Sequence, residues 1–81
     1  MSIELLCKAI AEVWLSATLA IECGDAWRVR VLVDGRTDPV LFAASPSLDR
    51  ALRSIASHVE QQGGFGPAVV ALRVVLAGGG L

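Results

Sequence analysis

Apolar residues recur every three or four positions at the start of the chain, at Ile3, Leu6, Ile10 and Val13, while Glu4, Lys8 and Glu12 form a charged row at i, i+4 spacing. The pattern predicts an amphipathic helix, capped by Ser2 and with Glu4 near the positive end of its dipole. The period then changes to two. Leu15, Ala17, Leu19, Ile21 and Cys23 alternate with Ser16, Thr18, Ala20 and Glu22, which predicts a half-buried strand over 16–23. No breaker separates the two stretches, and Leu and Ala also suit a helix, so a single helix over 3–22 competes with this reading. Gly24-Asp25 has hairpin-turn chemistry, because glycine tolerates the positive φ of tight hairpins. Beyond it, Trp27, Val29, Val31 and Val33 alternate with Arg28, Arg30 and Leu32 in the clearest strand of the chain. A turn at Asp34-Gly35-Arg36-Thr37-Asp38-Pro39 leads to a short third strand over 40–44, opened by a proline that cannot donate to a ladder.

The second half begins with Ser45-Pro46-Ser47, where either serine can cap a helix: Ser45 with Pro46 in the first turn, or Ser47 with Asp49. Leu48, Leu52, Ile55 and Val59, flanked by Ala51 and Ala56, make its apolar stripe, and Arg50, Arg53, Ser57, Glu60 and Gln61 face away. Gly63-Gly64 ends it as a C-cap does. After Phe65-Gly66-Pro67, the stretch 68–77 is interrupted only by Arg73 and holds four Val, which favours a strand apolar on both faces over a helix. Residues 78–81, beginning with three glycines, read as a frayed tail. The predicted order is α-β-β-β-α-β: an α+β fold with a small antiparallel sheet of three to four strands and two helices packed on one face. If the helices cover Trp27, Val29 and Val31, the other face carries Arg28, Arg30 and Leu32.

Composition changes this picture in one respect. The chain has 81 residues, of which 54% are hydrophobic and 19% charged. Residues 1–81 read as one domain with neither repeat nor linker. A chain this short buries only roughly 60% of the surface exposed by its unfolded form, so part of its apolar surface is expected to meet another chain, with a homodimer as the simplest arrangement. Low charge and high hydropathy exclude intrinsic disorder. Seven Lys+Arg against eight Asp+Glu leave no positive field for a polyanion, so direct nucleic-acid binding is not expected. Glu4 and Lys8 interrupt any signal-like start, and the uncharged stretches 13–21 and 63–72 fall short of the about 20 residues of a bilayer span. A cytoplasmic protein with no membrane contact is the expectation.

Candidate chemistry is sparse. Cys7 and Cys23 have no CxxC spacing and read as buried free thiols. His58 is the only histidine and reads as a surface or boundary residue, with no carboxylate or cysteine placed beside it by sequence. No GxSxG turn is present, and no three or four ligands have zinc spacing, so no catalytic residue, metal or cofactor is expected. Gly63-Gly64-Phe65-Gly66 matches a GxxG phosphate clamp only superficially, because Pro67 and a Val-rich segment without a nearby cation follow it. Arg28 and Arg30 carry more weight. Period two places both on one sheet face, Arg36 extends the patch, and the set reads either as a solvated face balanced by Glu22 or as a contact surface for anions. Trp27 is assigned to the core, whereas Trp14, at the junction of helix and strand, and Leu32, among the arginines, are candidate contacts for a partner.

Two resemblances extend the reading. The helix-strand-strand-strand-helix run, with its second strand at 27–35 and second helix at 47–62, resembles double-stranded RNA-binding domains. That family holds phosphates with lysines at the start of its second helix; Ser47, Leu48, Asp49, Arg50 and Arg53 stand there, with no lysine, so only the topology carries over. The hairpin at 27–44 around Asp34-Gly35-Arg36, followed by the helix at 47–62, also resembles small phage and mobile-element inhibitors of the anti-CRISPR type. That resemblance implies a non-enzymatic module that binds a protein partner, such as a nucleic-acid-processing complex, and blocks it by occupying a surface; the alternatives are a weak RNA- or DNA-binding domain using Arg28, Arg30 and Arg36, or a small structural subunit of a larger assembly.

Overall fold

The computed structural model describes residues 3–62 and 64–78; the expected cap Ser2, Gly63 of the expected helix stop and the tail residues 79–81 lie outside them. The architecture is α+β, with α1 at Ile3–Val13, β1 at Ala17–Cys23, β2 at Trp27–Val33, β3 at Leu41–Ser45, α2 at Leu48–Gln61 and α3 at Pro67–Ala77. The three strands form one antiparallel sheet in the order β1-β2-β3. Its register sets Ile21, Val29 and Ala43 in one row and Leu19, Val31 and Leu41 in another. These side chains share the face on which α1 and α2 pack. Val29 and Val31 are fully buried there with Leu6 and Ile10 of α1 and Leu52, Ile55 and Val59 of α2.

The break between α1 and β1, which composition left open, occurs at Ser16. Its φ of 56° is the only positive value at a non-glycine among the described residues. A left-handed residue cannot continue a right-handed helix, so the chain reverses there, and the Ser16 carbonyl accepts the Asp34 N–H at 3.2 Å. The hairpin turn expected at Gly24-Asp25 falls in the loop 24–26 between β1 and β2, but without the expected positive φ at Gly24, whose N–H donates to the Ala26 carbonyl at 3.2 Å. A positive φ, 83°, is used at Gly35, where Asp34-Gly35-Arg36 leaves β2. Ser47 caps α2 with its hydroxyl on the Arg50 N–H at 3.4 Å, while the Ser45 hydroxyl accepts from Ser47 N–H at 3.2 Å.

The last element corrects the sequence reading: residues 68–77 belong to a helix, and the order is α-β-β-β-α-α. Valine content pointed to a strand, but the start signal prevails, because Pro67 takes the first helical position after Gly66. Burial follows the helical period at Ala68, Val69, Leu72 and half-buried Leu76. Glu12 of α1 completes this N-terminus from a distance. Its carboxylate oxygens accept the Ala68 and Val69 N–H groups at 3.0 and 3.1 Å, which satisfies two amides left without helical partners and places negative charge at the positive end of the dipole. A Cβ at residue 66 would overlap that carboxylate, which accounts for glycine at this position.

Geometry decides where α3 lies. Three strands at about 4.8 Å spacing span only ~10 Å, whereas three helices side by side at 8–10 Å need roughly twice that. The sheet cannot underlie all three. Indeed α2 lies on β2 and β3, α1 on β1, and α3 packs on α1 and α2, with no Cα atom within 8 Å of a strand's. The described residues fill a slab of 33 × 32 × 18 Å. Two surfaces are left uncovered by this arrangement: the sheet face opposite the helices and the outer arc of α3. The exposed thiols of Cys7 and Cys23 are a second correction, since both were expected to be buried.

Candidate protein-docking face

The open sheet face is built by strand alternation. With Val29 and Val31 directed into the core, Arg28, Arg30 and Leu32 must stand on the other side of β2. The register sets Glu22, Arg28 and Ala44 in one row, Ala20, Arg30 and Phe42 in the next, and Thr18 beside Leu32 in a third. The face therefore has an apolar half, with Phe42 55% exposed and Leu32 half-buried, and a charged half. Phe42 was missed from sequence because strand parity places it on this face only once the β2–β3 register is known.

The charges are not equivalent. Arg30 pairs diagonally with Glu22 across the hairpin, and its Nε is shielded from solvent without a hydrogen-bond partner. That guanidinium is committed within the fold. Arg28 is exposed and makes no ion pair among the described residues; its Nη1 lies 3.5 Å from the position a Cβ on Gly24 would take, so it stands over the 24–26 loop. Arg36 is also exposed, on the turn after β2, where it borders a shallow depression of about 380 Å³ together with Ser16, Thr18, Leu32, Asp34 and Thr37. The depression adjoins the face through Thr18 and Leu32.

Of the five residues singled out from sequence, the fold thus brings Arg28, Arg30 and Leu32 onto one face and sets Arg36 at its margin. Trp14 lies elsewhere: it follows α1, is half-buried and packs against the core. Trp27, expected in the core, is instead half-buried at the start of β2, opposite Cys23 and Ser45 and outside the core cluster, because it stands at the strand's end. His58 is exposed on α2 with Nδ1 2.7 Å from the Ser54 carbonyl oxygen. Among the described residues no group of three or more His, Cys, Asp and Glu side chains is placed to hold a metal ion, and no helix is long and apolar enough to cross a membrane.

Fold and surface together define a small α+β unit with one covered and one free sheet face. No protein-family model, no curated protein and no solved structure matches the chain.

Proposed function

We propose that the protein is a non-enzymatic interaction module that docks on a protein partner through its open sheet face, in the cytoplasm, and acts by occupying the partner's surface. One observation carries this reading: an exposed Arg28, with no ion pair among the described residues, stands on the same face as an exposed Phe42. A solvated face would have no need of a large aromatic, and burying Phe42 against a partner removes apolar area from water while Arg28 remains free for a carboxylate at the rim. Aromatic and arginine side chains are also the types that dominate binding energy at interfaces. The partner chemistry that fits is an apolar patch bordered by carboxylates. A nuclease or effector complex is the class of target implied by the resemblance to small phage inhibitors.

The test is capture of partners from the native source by the immobilised chain and by its Arg28→Glu variant, with mobility shifts of RNA and DNA at about 50 mM salt, where electrostatic binding is strongest. A partner bound by the wild type and lost by Arg28→Glu supports the reading. Partner binding that survives the charge reversal, or a nucleic-acid shift abolished by it, contradicts it.

A further inference from the structure

The second uncovered surface is independent of the first. Around α3, buried Ala68, Val69 and Leu72 and half-buried Leu76 face α1 and α2, whereas Pro67, Val70, Ala71, Val74 and Ala77 recur at i, i+3, i+4, i+7 spacing along the exposed arc. That outer arc contains no polar or charged side chain. The helix's one charge, Arg73, is turned back into the fold, where Nε bonds the Glu60 carboxylate at 2.8 Å and Nη2 reaches the Gly64 carbonyl at 3.5 Å. Val70 is 43%, Val74 66% and Val75 40% exposed, and Phe65, just before the helix, is 88% exposed. A helix apolar on every side is normally buried on every side.

We infer that this arc is covered by α3 of a second copy of the chain, in a two-fold dimer of antiparallel helices. Three observations select a second copy. The arc is electrically neutral, so it meets itself without like-charge repulsion, as a two-fold contact requires. Alanines and valines, with no long side chain among them, let two helix axes approach closely. The exposed apolar area of the arc with Phe65 is on the order of 450 Å² per copy, the size of a functional patch on a small protein, and two such patches approach the low end of specific interfaces. A contact of that size marks the dimer as a weak one. A lipid surface fits less well: interfacial helices flank their apolar face with Lys and Arg, and the cation of α3 points the other way. Antiparallel pairing also seats Phe65 of each copy beside the Gly78 end of the other's helix.

Sedimentation of the full chain from 5 to 500 μM tests this directly. The expected result is a mass that rises with concentration from 8.5 kDa toward twice that value, and a dissociation constant raised at least tenfold by Val74→Glu, with the circular dichroism of the monomer unchanged. If Val74→Glu does not fold, Ala71→Arg at the other exposed turn serves the same purpose. In a Cys7→Ser, Cys23→Ser background, Ala71→Cys, which antiparallel pairing places beside the two-fold axis, should form an intermolecular disulfide on oxidation. A wild type that stays at monomer mass at 500 μM overturns the inference, as does a Val74→Glu or Ala71→Arg chain that dimerises like wild type. So does flotation of the wild type with anionic phospholipid vesicles that is lost on Val74→Glu. Arg28→Glu should leave the dimer intact, so failure here is separable from failure of the docking reading.

Discussion

At the scale of single residues, two positions hold the irregular parts of the fold in place. Gly66 is required not by its own backbone, whose φ is an ordinary −64°, but by the Glu12 carboxylate that occupies the space of a side chain. Gly66→Ala should push that carboxylate off the Ala68 and Val69 amides and lower stability by about 1–2 kcal/mol, the worth of a lost helix cap. Glu12→Ala should cost a similar amount. The two changes remove the same contact, so the double variant should cost little more than either single one, a non-additivity that urea denaturation of the four proteins measures directly. Ser16 is the other position. A non-glycine at φ 56° carries strain, so Ser16→Gly should raise the urea midpoint by the equivalent of ~0.5–1 kcal/mol, and a β-branched Ser16→Val should lower it. Equal midpoints for the two would contradict the left-handed conformation.

At the scale of elements, α3 is the informative case. Leu72 is fully buried, and Leu72→Ala should destabilise the whole domain by about 2–4 kcal/mol; if unfolding were untouched, α3 would be an appendage and not part of the core. The type of this element was not legible from valine content because strand propensity describes a side chain on a half-buried pleat, whereas here the Pro67 start and a carboxylate 55 residues upstream of it set the helix. That carboxylate was visible in the sequence only as the third member of a charged row, and nothing in the row distinguished Glu12 from Glu4, which pairs with Lys8 at 3.2 Å. The alternating strands were legible, since Val29 and Val31 must share a face whatever lies beyond. Which side chains would join Arg28 on the opposite face depended on register between strands, so Phe42 stayed hidden while Leu32 did not. Cys7 and Cys23 were misjudged because a small apolar thiol is usually buried; Cys7 lies outside the buried set Leu6, Ala9 and Ile10 of α1 and Cys23 is the last residue of β1, and both should react with Ellman's reagent in the native protein, giving two equivalents per chain without denaturant.

For the molecule as a whole, the excess of apolar residues over what 81 residues can enclose has a structural cause. A three-stranded sheet is too narrow to seat three helices, so one face of the sheet and one arc of a helix remain outside the core. The two surfaces differ in chemistry: the sheet face combines an aromatic with a free cation, and the helix arc carries neither charge nor polarity. They are accordingly assigned to different occupants, a carboxylate-bordered protein surface and a second copy of the chain. The most direct measurement of the docking claim is a quantitative comparison of proteins captured from the native source by the wild type, by Arg28→Glu combined with Phe42→Ser, and by Val74→Glu. The account predicts one partner that is retained by the wild type and by Val74→Glu and lost from the sheet-face variant. A partner that stays on the sheet-face variant and leaves with Val74→Glu would contradict it.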